Sequence, residues 1–132
     1  MNELEYSRAK TDKLIAQFSC SLMSNHKWVK LLKCLSSIVN LSCDFSVKLV
    51  WDDNVRKLHL DETVQYQLDY YDASLEAMIS GNPKGFYDYK EIEWLAIEGH
   101  SEQILKVKDA LNTLGQFDFV ANLHQLKVFA YK

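Results

Sequence analysis

Length, composition and charge place this chain among single-domain globular proteins. It has 132 residues, of which 48% are hydrophobic and 25% are charged, and its net charge is −3. One Pro and four Gly leave no composition for a long disordered linker, so we predict a single domain over residues 1–132. No run approaches the roughly 20 apolar residues that cross a bilayer, and the N-terminus lacks the pattern of a signal peptide. We therefore expect a cytoplasmic protein without membrane contact.

The charge is distributed unevenly along the chain. Residues 51–102 hold twelve Asp and Glu against four Lys and Arg, whereas the flanking segments are basic. The best lysine cluster, formed by Lys27, Lys30 and Lys33, is too small to support phosphate binding, so we expect no nucleic-acid partner. The three cysteines form no C-x-x-C pair, so we expect reduced and mostly buried thiols.

The first third of the chain predicts two helices. In the first, over residues 1–23, apolar residues such as Leu14 and Phe18 recur at helical spacing. Ser24-Asn25 breaks this pattern and offers an N-cap for the second helix. The second helix has the clearest apolar stripe in the chain, which consists of Trp28, Leu31, Leu32, Leu35, Ile38 and Val39.

From Asp44 onward the apolar residues recur at every second position, which predicts strands. Phe45, Val47, Leu49 and Trp51 alternate with polar residues in the first strand. Asp52-Asp53-Asn54 has turn chemistry and leads to a second strand over Arg56–Leu60. A third alternating segment follows at Thr63–Tyr71.

Capping residues, glycine and proline predict the next part of the chain. Asp72 can cap a short helix through Leu75, Met78 and Ile79, after which Gly81–Tyr89 is irregular.

The C-terminal part of the chain completes the fold. Glu91–Ile97, apolar on both faces, predicts a central strand, and Ser101 caps a helix that ends at Gly115. The helix stripe is Ile104, Val107, Leu111 and Leu114. Phe117–Leu123 and Leu126–Tyr131 predict a closing hairpin turned near His124-Gln125. The order ααβββαβαββ predicts an α+β domain, with helices on one face of a largely antiparallel sheet of five to six strands.

No motif indicates a metal, a cofactor or a catalytic centre. His26, His59, His100 and His124 lie in separate elements, and His59 with Asp61 on one strand face is explained equally well as a surface pair. G-x-S-x-G, P-loop and G-x-G-x-x-G patterns are missing from the sequence. Glu91 and Glu93 would point to the same side of a strand, as glycosidase acids can, but so acidic a block contains such pairs by chance. We expect no enzyme activity, no cofactor and no metal.

The unusual feature is the coincidence of acids with tyrosines. Five of the seven tyrosines lie between residues 66 and 91, and we assign Tyr66 and Tyr70 to the core face of the third strand. Tyrosine supplies contact area at low entropy cost, and surrounding carboxylates select a basic partner. We predict a partner-binding surface that docks a basic protein and loses association rate as salt rises. This surface consists of Tyr71, Asp72, Tyr87, Asp88 and Tyr89.

Two other functions fit the same sequence. In the first, the domain self-associates as a homodimer, and the tyrosines and the exposed edge of the hairpin are buried against a second copy. In the second, a small molecule binds between the second helix and the sheet, in a pocket lined by Trp28, Trp51 and Trp94.

Two segments, Tyr89-Lys90-Glu91-Ile92-Glu93-Trp94-Leu95 and Leu114-Gly115-Gln116-Phe117, resemble a family of small uncharacterised bacterial proteins. The resemblance covers Ser24 to Lys132 and implies a bacterial origin and a helix–sheet–helix–hairpin fold, with the first helix as an extension. It implies no activity. The chemistry of the acidic, Tyr-rich surface is also similar to that of immunity proteins that neutralise basic nuclease toxins, which implies an immunity or antitoxin-like role.

Overall fold

The computed structural model describes residues 3–38, 41–58, 74–76 and 86–132. The helices are α1 (Glu3–Ile15), α2 (Asn25–Ser37) and α3 (Ser101–Leu114). The strands are β1 (Asp44–Leu49), β2 (Arg56–Leu58), β3 (Ser74–Glu76), β4 (Phe86–Asp88), β5 (Ile92–Glu98), β6 (Phe119–Ala121) and β7 (Gln125–Phe129), and a 3-10 turn (Tyr89–Glu91) precedes β5. The predicted third strand, Thr63–Tyr71, lies outside the described residues.

Five of the strands form one antiparallel sheet in the order β2-β1-β5-β7-β6. The central position predicted for Glu91–Ile97 is confirmed, since β5 lies between β1 and β7 and pairs Leu95 with both Val47 and Val128. Strands β3 and β4 form a separate antiparallel pair. The α+β fold with an antiparallel sheet is therefore as predicted.

An apolar core joins the sheet to the helices. The inward-facing residues of the sheet alternate along the strands, and the helices contribute the stripes that their spacing predicts. The sheet residues are Val47, Leu49, Leu95, Ile97, Leu126 and Val128, and the helix residues are Trp28, Leu31, Leu32, Leu35, Ile104, Val107 and Leu111. Because both stripes belong to one cluster, α2 and α3 pack on the same face of the sheet. Burying each large side chain stabilises the fold by roughly 1.5–3 kcal/mol before entropy is subtracted.

Local capping interactions account for the ends of α2 and α3, and the N-cap of α3 lies one residue earlier than predicted. Ser24 caps α2 as predicted, and its Oγ accepts the Lys27 N–H at 3.2 Å. At α3 the N-cap is His100 rather than Ser101, because the N–H groups of Gln103 and Ile104 already bond to the His100 carbonyl. The Gly115 N–H bonds to the Leu111 carbonyl and ends this helix.

The short helix predicted from Asp72 to Ile79 is wrong where the structure describes it. Ser74–Glu76 is a strand, and it pairs with Phe86–Asp88 in the segment predicted as irregular, with Leu75 opposite Tyr87. An eight-residue helix is marginal in water, whereas a distant strand satisfies the backbone hydrogen bonds of this segment.

The alternation predicted through Trp51 ends early. The register of β1 against β5 shifts between Lys48 and Leu49, and β1 stops at Leu49, so Trp51 is 38% exposed instead of facing the core. The turn that follows is confirmed. Asp52 Oδ1 accepts the Asn54 N–H at 3.0 Å, and this bond, with the nearby Arg56 guanidinium, lowers the pKa of the Asp52 carboxyl.

The closing hairpin is confirmed, with its turn at residues 122–124. Asn122 Oδ1 accepts the N–H groups of both His124 and Gln125. After β7 the chain pairs with the connector between α1 and α2, and Tyr131 stacks on Phe18 with ring centroids 5.3 Å apart.

The structure also shows how exposed the cysteines are and whether a described helix could span a membrane. Cys20 is exposed, whereas Cys34 and Cys43 are half-buried, so the predicted burial of the thiols is wrong for Cys20. Within the described ranges, no helix combines the length and the apolar character that a membrane span requires.

Candidate functional site

The predicted partner-binding surface is only partly described, and the described part is buried. Tyr71, Asp72 and the side chain of Tyr87 lie outside the residues that can be described. Asp88 and Tyr89 are only 5% and 1% exposed, which contradicts their assignment to an exposed surface. The reason is the 3-10 turn, which packs against α2 and carries Tyr89 into the core.

Hydrogen bonds to the Glu91 carboxylate hold this 3-10 turn in place. Glu91 is 3% exposed, and its Oε2 accepts the backbone N–H of Asp88 at 2.7 Å. Its Oε1 accepts the Trp51 indole N–H at 2.9 Å. Both carboxylate oxygens are therefore satisfied, and Glu91 ties the start of β5 to the end of the β1–β2 hairpin.

The Glu91 and Glu93 carboxylates do not form a catalytic pair facing common space. Glu91 lies in the 3-10 turn, whereas Glu93 lies in β5 at the register shift and forms an ion pair with Lys48 at 3.0 Å. Each carboxylate is held by different partners, so neither is positioned as the acid of a glycosidase.

Two histidines that are distant in sequence meet in a polar depression at one end of the sheet. His100 and His124 line it together with Cys43, Asp44 and Glu98, around a volume of about 720 Å³. Among the described residues, no three His, Cys, Asp or Glu side chains are grouped so that they could hold a metal ion. Burial, and secondarily the charge of Asp44, raises the pKa of the Cys43 thiol, so it is a poor nucleophile at neutral pH.

The three tryptophans do not line a common pocket. Trp28 is buried in the core on α2, whereas Trp94 alternates with the inward-facing Leu95 and lies on the opposite face of the sheet, where the Lys127 ammonium is 4.1 Å from its ring centroid. Trp51 lies beyond the end of β1. The predicted small-molecule pocket between these three residues is therefore wrong.

Three exposed apolar side chains of the described residues lie near β6, at the edge of the sheet opposite β2. Leu105 on α3, Val120 on β6 and Leu123 in the β6–β7 turn are 58%, 57% and 72% exposed. An open groove of about 590 Å³ runs between α3 and β6, which we call the α3–β6 groove. Its lining residues are Ser101, Glu102, Ile104, Leu105, Lys108, Ala121, Asn122 and Leu123. Leu105 and Leu123 line this groove, whereas Val120, which pairs with Lys127, lies on the other face of the sheet. Exposed apolar side chains that line a groove typically mark an interaction site.

No residue that the structure describes pairs with the outer side of β6, so the backbone beside this groove is an edge of the five-stranded sheet. The Phe129 N–H bonds to the Asp118 carbonyl, and the Asn122 N–H bonds to the Gln125 carbonyl. Because hydrogen-bonded and non-hydrogen-bonded pairs alternate in an antiparallel ladder, Phe119 and Ala121 direct their N–H and C=O groups away from β7. The groove is thus flanked by backbone groups that can pair with another strand.

A model of a family of unknown function, DUF6678, matches residues 11–128 of the chain. The chain belongs to DUF6678. Comparison with curated proteins and with solved structures finds no match. The predicted resemblance to a family without a known activity is thus confirmed, although the DUF6678 match begins inside α1, so the boundary predicted at Ser24 is too late.

All residues of the α3–β6 groove lie inside the region matched by DUF6678. The sequence did not predict this groove, because apolar residues that fit a helix or strand period are indistinguishable from core residues. Two signals could have revealed it. Leu105 lies outside the stripe formed by Ile104, Val107 and Leu111, and Leu123 falls next to a turn.

Proposed function

We propose that this member of DUF6678 is a protein-interaction domain that binds an extended segment of a protein partner along the free edge of β6. The observation that carries the proposal is that exposed apolar side chains flank this strand edge on both sides, with Leu105 and Leu123 in the groove and Val120 on the other face of the sheet. Strand addition of this kind takes its affinity from backbone hydrogen bonds and its specificity from side-chain pockets.

The energetics favour apolar contact over charge attraction. Phe119 and Ala121 offer two N–H donors and two C=O acceptors to an added strand. Each of the three exposed apolar side chains would gain up to about 1–2 kcal/mol on burial, because roughly half or more of its surface is still exposed. The ionic residues that line the groove are Glu102 and Lys108, one of each sign. We therefore expect the association to change little with salt.

This expectation separates the proposal from the docking of a basic protein on an acidic surface. That second function, and the immunity or antitoxin-like role attached to it, stays a prediction from the sequence. With Asp88 and Tyr89 buried, it would depend on residues such as Tyr71, Asp72 and Tyr87. Association through such a surface should slow markedly as salt rises.

Site-specific photocrosslinking in the host cell tests the proposal. A photoreactive amino acid replaces Leu123 in the groove and, as a control, Val55, which is 56% exposed beside the β1–β2 turn. We expect a discrete adduct from position 123, identified by mass spectrometry, that disappears when the same chain also carries Val120→Lys. The adduct should not form from position 55. Equal adducts from both positions, or an adduct at position 123 that persists with Val120→Lys, would contradict the proposal.

A further inference from the structure

From the geometry of β6 we infer that the strand added to this edge is β6 of a second copy of the chain, which gives a two-fold symmetric dimer with a continuous ten-stranded sheet. The inference rests on the proposed function and names the partner that occupies the same site.

The backbone of β6 is complementary to itself in the register centred on Val120. The outward-directed residues, Phe119 and Ala121, lie on either side of Val120. In an antiparallel pair centred on Val120, Phe119 of one copy faces Ala121 of the other, and the reverse pair forms by symmetry. Each of these pairs exchanges two hydrogen bonds, so four backbone hydrogen bonds join the two sheets.

The side chains are complementary in the same register. Phe119 and Ala121 lie opposite Val128 and Leu126, two buried residues on the face that carries the helices. The small Ala121 side chain and Leu105 both line the α3–β6 groove. Phe119 is half-buried against the core of its own copy, and in this register it comes directly opposite the second copy's Ala121, so that a large residue meets a small one at both ends of the interface.

On the opposite face of the sheet, Val120 of one copy meets Val120 of the second copy. Val120 lies opposite Lys127, on the face away from the helices, and is 57% exposed. In the dimer, Val120 and its copy form a non-hydrogen-bonded pair on the two-fold axis, with Cα atoms about 4.5 Å apart. This contact removes two exposed apolar side chains from water without introducing a charge at the axis.

Cysteine crosslinking tests the register. In a Cys20→Ser background, which removes the exposed native thiol, we introduce Val120→Cys or, as a matched control, Val55→Cys. A Cα separation near 4.5 Å falls within disulfide geometry, so mild oxidation should give a covalent dimer of twice 15.3 kDa from Val120→Cys. Equal crosslinking of Val55→Cys, or no crosslinking of Val120→Cys, would overturn the inferred register.

Sedimentation of chains without added cysteine tests the dimer itself. We expect the wild-type chain and Val55→Lys to form dimers of twice 15.3 kDa. Val120→Lys should raise the dissociation constant at least roughly tenfold, because it brings two like charges together at the axis. A dimer that Val120→Lys leaves unchanged would overturn the inference. A monomeric wild-type chain, with a photocrosslinked partner of another sequence at position 123, would also overturn it while leaving the proposed function intact.

Discussion

Replacing Glu91 with Ala should destabilise the fold far more than replacing the neighbouring Glu93. Without the Glu91 carboxylate, the backbone N–H of Asp88 loses an acceptor 2.7 Å away in a buried environment, which costs about 1–3 kcal/mol. The Trp51 indole N–H loses its acceptor as well, but Trp51 is 38% exposed and water can replace the bond, so this adds at most about 1 kcal/mol. The expected loss is about 1–4 kcal/mol in the free energy of unfolding.

Two further variants make this prediction specific. Glu91→Gln retains one oxygen acceptor but sets an amide N–H against a donor, so it should lose about 1–2 kcal/mol. Glu93→Ala removes one partly exposed ion pair with Lys48 and should lose less than about 1 kcal/mol. Urea unfolding followed by far-UV circular dichroism gives the three free energies by linear extrapolation. If Glu91→Ala unfolds within about 0.5 kcal/mol of wild type, or Glu93→Ala is equally damaging, the structural role assigned to Glu91 is refuted.

Two other predictions concern the sheet end and the C-terminus. In Gly99→Ala, the new Cβ would lie 2.9 Å from Cys43 Sγ and 3.3 Å from the Ser42 carbonyl oxygen, so we expect a loss of about 1–3 kcal/mol, part of which Cys43→Ala restores in a double-mutant cycle. An equal loss in both Cys43 backgrounds would show that the sulfur contact is not the cause. Burial, and secondarily the charge of Asp12, raises the pKa of Tyr131 to about 12, while its hydroxyl donates to the Lys90 carbonyl at 2.8 Å. Because the folded-state pKa is raised, the contribution of Tyr131 is complete below pH 10 and is lost as pH rises toward 12. Denaturant unfolding over that range should therefore show a decline that is smaller in Tyr131→Phe, and identical slopes would contradict the assignment.

If the domain pairs through β6, its solution behaviour should reflect apolar contact and backbone hydrogen bonding. The chain as a whole is acidic, with a net charge of −3, but the groove contains one acid and one base. Raising the salt concentration should therefore leave the association through this edge almost unchanged. A strong salt dependence would instead point to the acidic segment between residues 51 and 102 as the binding region.

The long periodic elements could be predicted from the sequence because their patterns are local. The apolar stripe of α2, the cap at Ser24 and the stripe of α3 each specify a helix within a few turns of chain. The apolar character of Glu91–Ile97 on both faces required a strand with neighbours on either side, and β5 has them. The short elements were harder, since β3 exists only by pairing with β4, ten residues further along the chain.

The candidate site depended almost entirely on tertiary structure. The sequence by itself determined the fold class, the two amphipathic helices, the central strand and the closing hairpin, because periodicity and caps act over neighbouring residues. It could not show that Asp88 and Tyr89 turn inward, since their burial depends on a 3-10 turn packed against α2. Nor could it show that Leu105 and Leu123 line a groove on one side of the β6 edge while Val120 lies on the other, because that arrangement is set by the order of strands in the sheet and by the packing of α3 across it.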